Sequence, residues 1–375
     1  MRLWARGPAH RLTRMTAAPL SLAYGGILCA RSVWWERYAR TPPLPTVSVG
    51  NLTIGGNGKT PFTLFLAVRL RQHGFRVGIV SRGYGGRASR RARLVSDGQH
   101  IAMTPHEAGD EPVMLAKSFD GPVAVARRRI DAIELLATTK LADAVVLDDG
   151  FQHVRLRRDV DLLLINQSLG FGNGCLLPAG PLREPERAIR RADILVLVEP
   201  YDAGNRSLDF LRRDNLRGKP VVRARLQPSA LTYAEKGHWH EAPLVLDRRR
   251  VVAVSGVANS TGFHAMIGAL GAKLLRTLDY PDHHDYSAGD WENILAAARP
   301  AEMLITTEKD LVKLERFATP ELPLYALHLN VTMEAQDETH LLTLIRERIS
   351  RATPAIEPRT DCTRRTEAQP RDARI

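Results

Sequence analysis

The stretch VSVGNLTIGGNGKTPF, Val47 to Phe62, decides the fold. An apolar run ends in a glycine-rich turn, and Lys59-Thr60 opens a segment of helical periodicity. In that strand–loop–helix context a glycine-rich turn cradles phosphate. The first glycine of the usual pattern is missing, because counting back four free positions from Gly58 lands on Thr53. Gly55, Gly56 and Gly58 remain, and close backbone approach needs small residues near the phosphates more than at the outer edge. Thr53, Ile54, Gly55, Gly56, Asn57, Gly58, Lys59 and Thr60 are therefore the expected nucleotide-binding residues. Backbone N–H groups from Gly55 to Thr60 would converge on phosphate oxygens at a helix N-terminus. Lys59 would bridge the β- and γ-phosphates as a candidate catalytic residue, and the Thr60 hydroxyl would ligate Mg²⁺.

Further along, the chain alternates short apolar runs with helical periods. Strands are expected at 46–50, 76–81, 123–126, 143–148, 161–166 and 193–199, with helices over 59–73 and from about 128. Runs that are apolar throughout, separated by helices, predict a parallel sheet covered on both faces. A second alternating block starts at VVAVSG (251–256). It continues through helices at 262–270 and 288–298 and strands at 302–307 and 324–329, and a helix over 334–349 closes it. The fold class is thus α/β, a P-loop NTPase-like parallel sheet domain with a second, smaller α/β lobe. Residues 41–200 form the expected core, 201–250 an irregular inter-lobe connection, 251–350 the second lobe, and 351–375 a polar, disordered tail.

At 375 residues the chain can bury two cores. Its three cysteines are far apart and form no CxxC pair, which predicts neither a disulfide framework nor a zinc site. The net charge of +12 implies an anionic partner or a generally Arg-rich composition. Aromatic-interleaved RNA motifs and zinc-finger spacings are absent from the sequence, so nucleic acid is not an expected partner. Met15 to Ala30 carries no charge and is flanked by Arg2, Arg6, Arg11 and Arg14 before it and by Arg31, Trp34, Trp35, Arg37 and Tyr38 after it. As a helix it would reach only about 24 Å, short of a hydrocarbon core of about 30 Å. Residues 1–40 therefore read as an amphipathic, membrane-associated helix lying in the cytoplasmic leaflet. A cleaved signal peptide and a helix buried on the protein are the alternatives.

A phosphate loop also needs a carboxylate at a neighbouring strand end. AVVLD (144–148) supplies it, followed at once by Asp149, and either acid can hold Mg²⁺ or its water shell. The competing reading is a plain Asp-Gly turn. Arg82 and Tyr84 in SRGYGG follow another strand end at the same crevice. There Arg82 can take a phosphate and Tyr84 can meet a sugar, unless the glycines simply build a loop. The run Arg127 to Arg129 either faces lipid phosphate or begins a solvated helix. For Asp110 the residues alone favour a helix cap before Glu111-Pro112.

SVGNLTIGGNGKTP, VSRGYGG (80–86), GDEP (109–112), LDDGFQH (147–153), LLPAGPLREP (176–185), DHHDY (282–286) and TTEKD (306–310) together resemble the tetraacyldisaccharide 4′-kinases of lipid A biosynthesis. The stretches follow the family's order, and DDGFQH with PAGPLREP is far more specific than the phosphate loop. The resemblance implies transfer of the γ-phosphate of ATP, with Mg²⁺, to the 4′-hydroxyl of an acylated disaccharide 1-phosphate lipid. It also implies work at the cytoplasmic face of a bacterial inner membrane, peripheral or monotopic, with no obligate protein partner. Under it Asp110 becomes the base, assisted by His283. Arg82, Tyr84, Glu111, Gln152, His153 and Arg183 become acceptor contacts, and Glu184 joins Thr60, Asp148 and Asp149 as a candidate metal ligand. Lys309 and Asp310 stay open between lobe packing and function. A P-loop ATPase acting as a nucleotide-dependent switch at the membrane surface is the rival reading.

Overall fold

The computed structural model describes residues 8–55, 58–87, 91–199, 201, 216, 218–319 and 322–352. Gly56 and Asn57 of the expected nucleotide loop, and the tail from 353 onward, lie outside the described residues. The first half contains β1 (Thr46–Asn51), α2 (Lys59–Gln72), β2 (Val77–Ser81), β3 (Arg93–Ser96), α3 (Pro105–Ala108), α4 (Asp110–Ser118) and β4 (Val123–Val125). It continues through α5 (Arg129–Thr138), β5 (Ala144–Leu147), β6 (Val160–Asn166) and β7 (Ile194–Glu199), and α1 (Pro8–Tyr38) precedes it. The remainder runs β8 (Val221–Glu235), β9 (His238–Ala242), β10 (Arg250–Ser255), α6 (Ser260–Ala269), β11 (Lys273–Asp279), α7 (Ala288–Ala298), β12 (Met303–Thr307), α8 (Glu308–Leu314), β13 (Leu324–Thr332) and α9 (Ala335–Ala352).

One sheet takes in both halves, in the order β11-β10-β12-β13-β8-β7-β6-β1-β5-β2-β4-β3, with β9 paired to β8. Its pairs are parallel except β3 with β4, β8 with β9, and β8 with β13. The central strands alternate sides while staying buried. Val160, Leu162 and Leu164 of β6 join the core under α2, α4 and α9, whereas Leu163 and Ile165 join the core on the opposite face. That two-sided burial explains why these strands are apolar throughout.

Two features depart from the sequence reading. The 201–250 segment is not irregular where it is described, since β8 is 15 residues long and joins β7 to β13. Its exposed and buried residues alternate over residues 221–225, where one face is left to solvent, and Ala230, Leu231 and Thr232 are buried in succession. The last helix, expected to close the second lobe, packs on the first instead. Leu341, Leu342, Ile345 and Ile349 sit in the same core as Val47, Phe62 and Leu162. Arg69 pairs with Glu338 at 2.7 Å, and Arg348 with Asp193 at 2.7 Å.

The N-terminal helix is longer than the uncharged stretch within it. Ser21 Oγ donates to Leu176 O and accepts from Ala179 N, both at 3.0 Å, and Tyr24 donates to Arg183 O. Arg155 lies 4.1 Å over the Trp35 ring. One face is thereby held on the 176–183 loop, while Leu20, Leu22, Ile27, Val33, Trp34 and Tyr38 stay exposed. Among the described residues, no helix is long and apolar enough to cross a membrane.

Candidate active site

Neighbours β1, β5 and β2 are parallel, so the loops leaving their carboxyl ends converge where open sheets bind ligands. The β1 loop is strapped on its outer side. Arg183 N donates to Leu52 O at 2.8 Å, and Ile54 N donates to Pro181 O at 2.9 Å. On its inner side Gly50 lies against the acidic loop, where a Cβ would come within 2.8 Å of Phe151 N. No side chain fits there, so the two loops share one seam. Gly55 (φ 110°) and Gly58 (φ 71°) take left-handed backbone, and Gly58 caps α2. Thr53 and Ile54 flank this turn, and Thr60 stands in the first turn of α2.

Ionised groups crowd the seam. Lys59 Nζ donates to Asn51 Oδ1 at 3.1 Å and lies 3.4 Å from Asp149. Arg183 holds the other side of Asp149 at 2.8 Å, and its Nη1 also reaches Gln152 Oε1 at 3.3 Å. Gln152 in turn donates to Asn51 O at 2.7 Å. Burial works against the charge on Asp149, but Lys59 and Arg183 outweigh it and lower its pKa. Asp148 is the opposite case. Burial, then Glu111 and Asp149, push it up to about 7, against Lys59 and the Thr63 hydroxyl that donates to it at 3.1 Å. A buried carboxylate under that pressure, next to a second one, suits a divalent cation. The residues present therefore fit Mg²⁺ held by Thr60, Asp148 and Asp149.

Glu184 lies behind the acidic loop. It is buried, and its Oε2 accepts from Arg191 at 2.8 Å. Arg191 also donates to Phe151 O and stacks on that ring. This ion pair supports the acidic loop from behind, and the other Glu184 oxygen, Oε1, is buried with no hydrogen-bond partner among the described residues. Among the described residues no group of three or more His, Cys, Asp and Glu stands ready to hold a metal.

A second cluster forms where the halves meet. Asp110 is the first residue of α4 after the cap Gly109 (φ 94°), and its Oδ1 accepts from Glu111 N at 3.1 Å in that first turn. The same carboxylate also faces His283, whose Nδ1 lies 3.2 and 3.1 Å from its two oxygens across 173 positions of sequence. Lys313 Nζ stands 3.4 Å from Asp110 and 3.6 Å from Asp310. Burial opposes the charge on Asp110, but His283, Lys309 and Lys313 prevail and hold it down to about 2. The Asp110 hydrogen bond raises the His283 ring above its ordinary value, although burial and Lys309 pull against it. Tyr84 is exposed, with its ring 5.1 Å from that of His283. Its loop reaches there because a Cβ on Gly109 would lie 2.5 Å from Tyr84 O, and one on Gly86 2.5 Å from Glu107 O. Both His283 (φ 63°) and Asp149 (φ 50°) hold left-handed backbone, a conformation costing about 1–3 kcal/mol.

Arg82 is exposed at the same edge. His153, half-buried, is pushed down to about 3 by burial and by Arg129, Arg158, Arg155 and Arg82, so it is neutral. Arg127 and Arg128 are solvated, but Arg129 is buried, and among the described residues its Nε has no hydrogen-bond partner. Sequence reasoning passed over Asn51, Thr63 and Lys313. Asn51 lies within the stretch Val47 to Phe62, yet only the fold shows that its side chain receives Lys59.

The family model described as Tetraacyldisaccharide-1-P 4′-kinase (LpxK) matches residues 13–350. A tetraacyldisaccharide 4′-kinase of Anaeromyxobacter dehalogenans is 41% identical over 84% of this chain and 85% of its own. One from Syntrophus aciditrophicus is 37% identical over 92% and 96%. The crystal structure of LpxK from Aquifex aeolicus in complex with ATP superimposes with a TM-score of 0.72 at 32% identity, covering 90% of this chain and 99% of that one. With its phosphate loop, acid pair and Asp110–His283 contact in one crevice, the chain belongs to the tetraacyldisaccharide-1-phosphate 4′-kinase family.

Proposed function

We propose that the protein transfers the γ-phosphoryl group of ATP to the 4′-hydroxyl of a tetraacylated glucosamine disaccharide 1-phosphate. The contact of Asp110 with His283 carries this reading, because it places an ionised acceptor of protons where loops from both halves meet. Lys59 would steady the transferring group, and Asn51 and Asp149 fix its present direction. Bound Mg²⁺ would supply charge neutralisation between nucleotide and protein. Asp110 orients the hydroxyl and accepts its proton, while Tyr84, Arg82, Glu111, Gln152, His153 and Arg183 surround the sugar end. Family membership favours this activity over that of a nucleotide switch.

The acceptor's acyl chains set the place of work. Each CH₂ drawn into water costs about 0.8 kcal/mol, so the headgroup must be met at the bilayer. Leu20, Ile27 and Trp34 of α1, spaced seven apart and exposed, supply an apolar flank for the cytoplasmic leaflet of the inner membrane. The test is to incubate the protein with Mg²⁺-ATP and the tetraacyl disaccharide 1-phosphate and to look for one added phosphate by mass spectrometry. Acceptor-independent ADP release with no phosphorylated lipid would overturn the assignment.

A further inference from the structure

His283 sits between opposite charges. Its Nδ1 faces the Asp110 carboxylate, and its Nε2 lies 3.1 Å from Lys309 Nζ. A carboxylate only accepts hydrogen bonds and an ammonium only donates them. The ring proton therefore belongs on Nδ1, and the Nε2 lone pair accepts from Lys309. An imidazolium would instead point an Nε2–H at that ammonium. Lys309 is not free to turn away, since Asp282 holds it at 2.9 Å and Glu111 stands at 3.8 Å. One turn along α8, Lys313 reaches Asp110, and its neighbour Asp310 is anchored by Gly256 N at 2.9 Å and Thr307 Oγ1 at 2.7 Å. The groups facing the ring are thus Asp110 and Glu111 from α4, Asp282 from its own loop, Lys309 and Lys313 from α8, and the phenol ring of Tyr84.

We propose that Lys309 is a positioning residue: it occupies the Nε2 lone pair of His283, fixes the Nδ1–H tautomer, and so leaves Asp110 to receive the acceptor's proton. The tautomer stands on geometry alone; the last clause rests on the phosphotransfer reading above. In that transfer the hydroxyl O–H bond breaks as the new O–P bond forms. The proton passes to Asp110, and the bridging oxygen leaves with its electron pair on ADP. His283 in its neutral form orients Asp110 and is not the group that receives the hydroxyl's proton.

The test is side-chain nitrogen NMR on ¹⁵N-histidine-labelled protein at about pH 8.5, above the ordinary histidine range. His283 is identified by the signals lost in His283→Gln. The expected pattern is a protonated Nδ1 and a bare Nε2; an Nε2–H tautomer or an imidazolium in the unmodified protein overturns the proposal. In Lys309→Met, which keeps the stem, the His283 titration midpoint should rise by about one unit as a facing cation is lost. The turnover number should fall by about 10²-fold as the pair loses alignment, with KM for ATP unchanged, and Lys309→Arg should recover most of it. An unchanged midpoint and tautomer in a folded Lys309→Met would also overturn it. If that variant does not fold, the unmodified protein's tautomer and the Lys309→Arg midpoint decide. Absence of transfer in every protein, with the tautomer as expected, would refute the phosphotransfer reading and leave the role of Lys309 towards the ring intact.

Discussion

The two ends of the crevice hold their buried carboxylates in opposite ways. At the acceptor end Asp110 is surrounded by His283, Lys309 and Lys313, and its charge is stabilised before any ligand arrives. At the nucleotide end Asp148 is buried beside Asp149 and Glu111, and its charge is resisted. Lys59, which should meet phosphate, is engaged by Asn51 and Asp149. On the proposed function the acceptor end is therefore pre-assembled, whereas the nucleotide end would be completed by what binds there. The difference teaches where each kind of damage should appear: in turnover at one end, and in ligand and metal dependence at the other.

The most damaging change should be Lys59→Ala, because no other described residue of the loop carries charge to the phosphates. Phosphoryl transfer should fall by about 10³-fold or more; near-normal turnover in a coupled ADP assay would break the assignment of this end. Next, Asp110→Asn and His283→Asn should each lower the turnover number by about 10²-fold or more, with little change in KM for ATP. Acting as one unit, they should be far from additive in the double variant. Additive losses would show two independent roles.

Stability should separate the ends by sign. The folded pKa of Asp110 is lowered, so its contribution is present above the ordinary 3.8 and is lost as pH falls towards about 2. Asp110→Asn should cost roughly 2 kcal/mol near neutral pH. The folded pKa of Asp148 is raised, so stability falls as pH climbs from 3.8 towards about 7. Asp148→Asn should therefore raise Tm at about pH 8 in metal-free protein while Mg²⁺ loses its protective effect. Thermal unfolding of both variants at two pH values checks this; shifts of the same sign would erase the contrast. The smallest effect expected is outside the crevice. Replacing Leu20, Ile27 and Trp34 by Gln should reduce recovery on anionic vesicles several-fold with nucleotide binding unchanged, and equal recovery would move the anchor elsewhere.

What was legible in the sequence follows from how local each feature is. Strands β1, β5, β6 and β7 were readable because burial on both faces makes them continuously apolar. β8 was hidden by its alternating Val221-Val-Arg-Ala-Arg225 pattern and by Pro228, and β11 by an exposed edge. The nucleotide end could be read from spacing within sixteen residues, Val47 to Phe62, plus one acidic strand end. The acceptor end could not, since Asp110 and His283 meet over 173 positions and only family resemblance joined them. Arg129 looked like its two solvated neighbours until α5 turned it inward. Lys313 sits one turn beyond a recognisable motif, where nothing in the pattern distinguishes it from a surface lysine.

The placement of α9 has a consequence for how the chain is made. During synthesis the strands of the first half emerge early, yet the apolar side they share with α2 stays partly uncovered until Leu341, Leu342, Ile345 and Ile349 arrive. The first half therefore cannot finish as a free-standing unit while the second is still being translated. A nascent chain halted before Ala335 would carry an open hydrophobic face and should engage chaperones or be degraded. The core on which the phosphate loop rests is thus closed only once α9 is in place.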